Sequence, residues 1–578
     1  MGRPAKVKPP VVGTSRRDFF KTSGSAAAVL ASVPLGSLAG GRNHHPTTFQ
    51  HGVASGDPLS DRVILWTRLT LDPRKDRKEW KDRVQVRYVV ATDPRLKRVV
   101  MRGHTVTGAA RDFTVNVDAI GLRPDTTYYY RFAFEGARSP VGRTKTLPVG
   151  RTERLRMAVV SCSNHAYGYF NAYGRIAQRA DLDLVMHLGD YLYEYGAGQY
   201  GSVRIPEPPT EMITLADYRA RHAQYKRDPD SQAMHRQHPL VAIWDDHETA
   251  NNAWKDGAEN HQPDSEGTWA ARVSAALTAY YEWMPVRIVD PSTPRRNNRS
   301  YAYGDLVDLV MLEERLGARS KQLDGTIATP FGNAFGQTGA FLDPARQLLG
   351  EDEEKWLFDK LRTSKARWKM LGQGVMFAQL KVPGYALPNA AGGGLFLNSD
   401  QWDGYQPARD RVYAVLKGSD GQAPVDNVVI LTGDIHSSWA ADLTPDPNNP
   451  LVAAGGYDPA SGAGSRAVEF VGTSVSSPGI DTDTSGQIAA TLRAANPHFK
   501  YINLFKRGYM LVDVTRDRAV AEWWHLDTVA SQSNIETFAV AFETRWGANR
   551  LEASVQTAQR TSPPPLAVEL LPDEGDDD

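Results

Sequence analysis

Between residues 47 and 148, apolar and polar residues alternate over short runs and no stretch carries a helical period. The runs 62–68, 84–91, 113–117 and 127–134 predict strands, separated by turn residues at Gly56-Asp57-Pro58, Asp93-Pro94 and Pro124-Asp125. This spacing predicts a small all-β sandwich. From residue 151 the pattern changes: apolar runs of strand length alternate with segments of helical period, which predicts an α/β or α+β layered domain with central sheets flanked by helices. Helices are expected over 169–180, 267–284 and 351–362. In the second, Trp269, Val273, Ala276, Leu277 and Tyr280 recur at helical spacing and predict a core stripe. Two glycine-rich or proline-rich stretches, 325–339 and 383–404, carry no period and predict loops over a site. No internal repeat is present, and the acidic end 573–578 reads as a solvated tail. The expected division is a leader over 1–43, the sandwich over 44–148, the layered domain over 149–545 and a tail over 546–578.

Four apolar runs of the second region end in a residue able to hold a metal. The run 155–160 leads into Ser161-Cys162-Ser163-Asn164, and 182–188 leads into Gly189-Asp190-Tyr191-Leu192-Tyr193. Likewise 240–244 precedes Asp245-Asp246-His247-Glu248, and 428–431 precedes Thr432-Gly433-Asp434-Ile435-His436. A single such junction is commonly a turn or a helix cap. Four together point to one crevice, because ligands of open α/β sheets gather at the carboxyl ends of strands.

Bulk composition narrows the partners. Lys plus Arg and Asp plus Glu each number 67, so no net field exists to gather nucleic acid, and no nucleic-acid partner is expected. The amino terminus departs from this neutrality: Arg3, Lys6, Lys8, Arg16 and Arg17 precede Asp18, the first acid, and 22–41 carries no charge. That is a signal-peptide profile. The run Ser15-Arg16-Arg17-Asp18-Phe19-Phe20-Lys21 resembles a twin-arginine export signal, which implies the twin-arginine translocase as a partner during export and a periplasmic, cell-wall or extracellular destination. Elsewhere no segment approaches the ~18 apolar residues of a membrane helix, so no transmembrane anchor is expected. Cys162 is the single cysteine, and no intrachain disulfide can form.

The mixture of donors suits phosphoester hydrolysis. Two cations roughly 3.5 to 4 Å apart activate a shared water and clamp the attacking and leaving oxygens. Asp190, Asp246 and Asp434 suit hard cations, whereas the thiolate of Cys162 and the phenolate of Tyr193 suit a more acidic or softer ion, iron being the natural candidate.

Gly189-Asp190-x-x-Tyr193, Asp246-His247-Glu248 and Gly433-Asp434-Ile435-His436 resemble the successive motifs of the metallophosphoesterases. Asp246 and Asp434 stand where the purple acid phosphatase branch has Asn and His. Those departures, the Ser-Cys-Ser-Asn junction and the preceding β-rich region beginning Phe49-Gln50-His51-Gly52-Val53-Ala54-Ser55-Gly56-Asp57-Pro58 resemble PhoD-type alkaline phosphatases over nearly the whole chain after the leader. Gly121-Leu122-Arg123-Pro124-Asp125-Thr126-Thr127-Tyr128-Tyr129-Tyr130 resembles the strand entry of immunoglobulin or fibronectin-like domains. The resemblance implies a secreted phosphatase containing Fe(III) and Ca(II), attacking small phosphomonoesters and phosphodiesters through a metal-bridging hydroxide. Cys162 and Tyr193 would bind iron, Asp190 would bridge the metals, and Asp246, Asp434 and His436 would complete the shell. Asn251 or Asn252 is a further calcium candidate.

His247 is placed for proton transfer or a phosphate contact, or else it orients Asp246. Asn164 either positions phosphate or caps the following helix. After the run 306–312 the family commonly has Asp-Thr-Arg, whereas this chain has Glu313-Glu314-Arg315. Arg315 either grips phosphate through a bidentate fork or pairs with a glutamate. Arg295, Arg296 and Arg299 read as an exposed loop. Two further readings stand beside the broad phosphatase: a dedicated phosphodiesterase of phospholipase D-like activity, and a binding protein with structural metals.

If the arginine pair is read during export, Arg16→Lys together with Arg17→Lys leaves precursor in the cytoplasm on cell fractionation; undiminished export of that variant would count against the route.

Overall fold

The computed structural model describes residues 48–71, 83–385, 393–419 and 421–568. The leader expected over 1–43 and the acidic end at 573–578 lie outside the described residues. Among those described, no helix is long and apolar enough to cross a membrane.

Two large sheets face one another. The first has ten strands, in the order Glu552–Ser554, Glu536–Arg545, Arg518–Leu526, Gly508–Thr515, Arg154–Val160, Leu184–Leu188, Pro239–Ile243, Val53–Gly56, Arg62–Arg68 and Thr114–Ile120. Its centre, from Arg154–Val160 to Val53–Gly56, is parallel. The second has seven strands and a parallel centre of Val307–Met311, Trp368–Gln373, Val428–Thr432 and Ala467–Val471. Side chains at every second position, including Leu155, Met157, Val159, Leu184, Met186 and Leu188 from one sheet and Val307, Leu309, Met311, Val429 and Leu431 from the other, make the core between them. The alternate positions face outward beneath helices. Ala158, Val160, Val185, Leu240 and Ala242 lie under the helices Asn171–Ala177, Leu215–Arg227, Pro229–Gln237 and Trp269–Trp283. Val310, Leu371 and Ile430 lie under Glu351–Thr363, Gln406–Lys417 and Gln487–Ala495. The result is four layers, helix on sheet on sheet on helix. Burial on both faces is why these strands read as continuous apolar runs.

The strands Arg62–Arg68, Val84–Ala91 and Thr127–Phe134 occupy the predicted ranges, and the strand expected over 113–117 runs Thr114–Ile120. A five-stranded sheet containing Val84–Ala91, Val99–Thr107 and Thr127–Phe134 packs on Arg62–Arg68 and Thr114–Ile120 through Val63, Leu65, Val86, Val90, Val117, Tyr130 and Phe132. The second of these layers is not separate from the rest of the chain. Ser55 pairs with Pro239 and Gly56 with Leu240, so three amino-terminal strands extend the ten-stranded sheet.

The end of the chain is also built in, which corrects the expectation of a tail from 546. Beyond Glu552–Ser554, Thr557 N donates to Glu522 Oε1 (2.7 Å), Arg156 donates to Thr557 Oγ1, and Arg560 pairs with Asp183. Tyr129 Oη donates to Pro565 O at 2.6 Å, and Ala567 N to Gln237 Oε1 at 2.8 Å. This strap crosses from the carboxyl-terminal strands to the amino-terminal layer.

The expected helices are present as Asn171–Ala177, Trp269–Trp283 and Glu351–Thr363, but Pro229–Gln237, Gln406–Lys417, Gln487–Ala495 and, the longest of these, Leu215–Arg227 were missed. Its start is marked by Thr214 and Asp217, which form a reciprocal capping box. Its inward face hides the helical signal, because Arg221, His222, Gln224 and Lys226 are buried there. Lys226 is 1% exposed; its Nζ donates to Tyr191 Oη at 2.7 Å and lies 2.9 Å from His235 Nε2. No carboxylate pairs with it among the described residues, and burial pushes its pKa well below the usual 10.5.

An amine with a depressed folded-state pKa stabilises the fold fully above about 10.5, and that contribution is lost as pH falls, since the unfolded chain takes up the proton first. Lys226→Met therefore flattens the fall in stability between pH 10 and 7 by up to ~1.4 kcal/mol per pH unit. Urea unfolding across that range measures it; parallel curves for the two proteins would refute the buried neutral amine.

Candidate metal centre

The parallel strands of both sheets deliver their carboxyl ends to one edge, and there the backbone turns through the left-handed region. Cys162 has φ 61°, Asp190 54°, Asp434 60° and His436 57°. Each such residue costs on the order of 1 to 3 kcal/mol and persists only where its surroundings impose it. Here the imposing contacts are visible. Cys162 N donates to Gly189 O at 3.1 Å and Ser163 N to Asp190 O at 2.9 Å. Glu248 accepts from Asp190 N (3.1 Å), Tyr191 N (2.6 Å) and Asp245 N (2.8 Å), tying two strand ends together. The glycine before Asp190 is required by space as well as by its φ of 98°, since a Cβ on Gly189 would stand 2.4 Å from Asp245 Cβ.

The donors converge on Asp190. Cys162, Asp190 and His436 offer ligand atoms within 4.8 Å of one another; so do Asp190, Asp246 and His247, and so do Asp190, Asp245, Asp246 and Asp434. Tyr193 Oη lies 3.1 Å from both Asp190 Oδ2 and His436 Nε2 and accepts from Ser477 Oγ at 2.7 Å. His436 Nδ1 sits 2.8 Å from Pro478 O, so with Nδ1 as donor its Nε2 lone pair faces the centre. All of the sequence-predicted metal ligands are buried. Asn252 fits a cation better than Asn251. Its Nδ2 donates to Glu259 at 2.6 Å, its N to Asp246 Oδ2 at 2.6 Å, and its Oδ1 is buried without a hydrogen-bond partner. Asn251 N is held by Glu194 Oε1 at 2.7 Å. The carboxylate Asp245, which the sequence places in the same junction as Asp246 without marking it as a ligand, also has a buried oxygen, Oδ2, that accepts no hydrogen bond among the described residues.

Electrostatics make this arrangement a cation site. Burial, then the charge of Asp190, pushes the Cys162 thiol up, and the same two causes raise the Tyr193 phenol. Burial also raises Asp190, with His247 opposing and Asp246 and Asp245 adding to the rise. Nearby positive charge would thus favour the ionised forms of Cys162, Tyr193 and Asp190. The side with Cys162, Tyr193 and His436 presents S, O and N donors; the side with Asp246, Asp434 and Asn252 presents oxygen alone, and that division suits two unlike cations.

His247 is held by a residue that the sequence reading did not single out. Its Nδ1 lies 2.7 Å from Glu194 Oε2, whose other oxygen accepts from Asn251 N and Asn260 Nδ2. Burial alone would lower the pKa of His247, but Asp246, Glu194 and Asp190 outweigh it and raise it to about 10. Glu194 directly follows Tyr193; a carboxylate beside a ligand motif was the available signal.

Four expectations change. Arg315 does not face a free phosphate position: its Nε donates to Asp245, its Nη1 to both oxygens of Asp400 (2.9 and 3.1 Å) and its Nη2 to Asp434 at 3.2 Å. It is a buried counter-charge to carboxylates, none of them the glutamates beside it. Glu313 lies outside the centre and anchors a loop, accepting from Trp244 Nε1 (2.7 Å), Leu316 N (2.8 Å) and Gly317 N (2.6 Å). Asn164 Oδ1 accepts from Ala166 N at 2.9 Å and Tyr167 N at 3.2 Å, closing a turn, while its Nδ2 donates to Tyr200 O at 2.7 Å. Arg299, expected in an exposed loop, opens the strand Arg299–Tyr303 and pairs with Asp57 at 3.4 Å.

Sequence comparison matches residues 157–523 to the family described as PhoD-like phosphatase and residues 36–148 to the N-terminal domain of PhoD-like phosphatases. Alkaline phosphatase D of Bacillus subtilis (strain 168) is 37% identical over 522 residues, spanning 88% of this chain and 84% of that protein. A solved structure described as "Structure of PhoD" superposes with a TM-score of 0.76 at 35% identity, covering 90% of this chain and 95% of the other.

Removing Arg315 strands several buried carboxylates. Arg315→Met is expected to destabilise the fold by about 3 to 5 kcal/mol in urea unfolding. A fully stable variant whose only defect is a raised KM would restore the phosphate-gripping role.

Proposed function

The chain belongs to the PhoD-like phosphatase family and is a phosphoric ester hydrolase; from that premise we propose that one centre hydrolyses both phosphomonoesters and phosphodiesters, with Fe(III) held by Cys162, Tyr193, Asp190 and His436 and Ca(II) by Asp190, Asp246, Asp434 and Asn252. The observation that carries this reading is the position of Asp190, which belongs to all three donor groups and so could be shared by two cations. Bound there, the two cations would supply an activated water nucleophile and relieve charge on the phosphoryl oxygens.

The chain's own residues supply the rest. Glu194 orients His247 through Nδ1, which leaves Nε2 as the edge turned to a phosphoryl or leaving-group oxygen. Glu248 and the backbone bonds at Cys162 and Ser163 keep the strand ends in their left-handed turns, so that the donors need no rearrangement to meet charge. Arg315 screens Asp245, Asp400 and Asp434 from one another. Export by the twin-arginine route, to the periplasm, cell wall or medium, is part of the same proposal and is supported by Arg16-Arg17 and the uncharged run after Lys21.

Elemental analysis of the purified protein is expected to find iron and calcium. Asp190→Ala is expected to lose both metals together with about 10³-fold or more of kcat/KM on p-nitrophenyl phosphate and bis-p-nitrophenyl phosphate. In Cys162→Ser the visible ligand-to-iron absorption should disappear. Protein that hydrolyses both esters without either metal, or an Asp190→Ala variant of full activity, would overturn the proposal; a negligible monoester rate alone would turn it into a phosphodiesterase.

A further inference from the structure

The metal centre is buried, yet two aromatic rings that touch its histidines are partly exposed. Tyr200 lies 6.2 Å from the His247 ring at an interplanar angle of 24°, and 6.4 Å from His436. Tyr195 lies 5.5 Å from His247 and 5.2 Å from Tyr200. Tyr193, which like Tyr200 contacts both histidines, is buried. Tyr195 and Tyr200 are thus partly exposed rings packed against the His247 imidazole.

Their loop is pinned. Asn164 Nδ2 donates to Tyr200 O at 2.7 Å, Val203 N donates to Ala166 O at 2.8 Å, and Ala197 N donates to Pro209 O at 2.7 Å. A loop backbone held this way presents its rings as a largely preformed wall, and a preformed aromatic wall selects by shape and stacking because little ordering is left to be done when a ligand arrives. Both rings lie against His247, and Tyr200 also against His436, so they line the partly exposed side of the donor cluster on which an alcohol group of a bound ester would lie.

We infer that Tyr195 and Tyr200 form a leaving-group subsite that favours phosphoesters of alcohols bearing a flat, aromatic group. Asn164 is the positioning residue of that subsite: it acts on Tyr200 through the backbone, which accounts for a conspicuous asparagine beside Cys162 that makes no contact with the donor cluster. The inference rests on the reading of this centre as a phosphoester hydrolase.

The test compares benzyl phosphate with cyclohexylmethyl phosphate, which match in size and differ in the π-face. The native enzyme should prefer the benzyl ester. Tyr200→Ala should lower the benzyl-to-cyclohexylmethyl ratio of kcat/KM by about 3- to 10-fold, mainly through KM, as expected for the loss of an aromatic contact. Tyr200→Trp should retain the ratio, and Asn164→Ala should lower it in the same direction while the melting temperature reports whether the fold is intact. Equal losses on both esters in Tyr200→Ala, or an unchanged ratio in both Tyr195→Ala and Tyr200→Ala, overturns the subsite and leaves the hydrolase standing. Native protein that turns over neither ester overturns the hydrolase reading, and the subsite with it.

Discussion

Several carboxylates buried in one crevice repel one another, and the rest of this structure is arranged around answering that repulsion. Asp190, Asp245, Asp246, Asp400, Asp434, Glu194 and Glu248 are all buried at the shared edge of the two sheets. Isolated buried charge is costly unless it is paired and hydrogen-bonded. Arg315 answers four of these groups, Arg319 adds a second hold on Asp400 at 2.6 Å, and His247 sits between Glu194 and Asp190. Backbone N–H groups satisfy Glu248. The cations proposed for the centre complete the same ledger of charge, which is why the donors and their counter-charges form one unit.

This unit explains what could be read from the sequence. The junctions at Cys162, Asp190, Asp246 and Asp434 were legible because doubly buried parallel strands leave apolar runs, and each run stops at a polar residue where the sheet opens. The four-layer arrangement follows from the same runs. Side chains that act across the sheets were not legible. Arg315 and Glu313 follow the strand Val307–Met311 in the second sheet, and only the packing of the two sheets shows that Arg315 meets carboxylates from the first while Glu313 reaches Trp244. Asn252 and Asn251 are neighbours of identical type and both donate to Glu259; a backbone bond to Asp246 and a φ of 52° distinguish the one whose oxygen is left over.

The amino-terminal region is a parallel case. Alternation identified its strands closely, because each has one face in the core and one face outside or against another layer. Alternation says nothing about which sheet a strand joins. The pairing of Ser55 and Gly56 with Pro239 and Leu240 bridges nearly two hundred positions of chain and rests on main-chain bonds that carry no residue signature. The missed helix Leu215–Arg227 has a related cause: its buried face carries arginine, histidine and lysine in place of aliphatic residues, so tertiary packing overrides the period.

The strap from Thr557 to Ala567 has a consequence for the order of events in the cell. It bonds to Arg156, Asp183, Gln237 and Tyr129, side chains made hundreds of residues earlier. Gly508–Thr515 likewise fills the place beside Arg154–Val160 within the large sheet. A nascent chain that has not yet reached Gly508–Thr515 lacks both pieces, so the sheet stays open along its middle until that strand emerges. Closure of the large sheet is thus a late event: the amino-terminal half waits, with strand Arg154–Val160 unpaired on one side, for a segment made more than three hundred residues later.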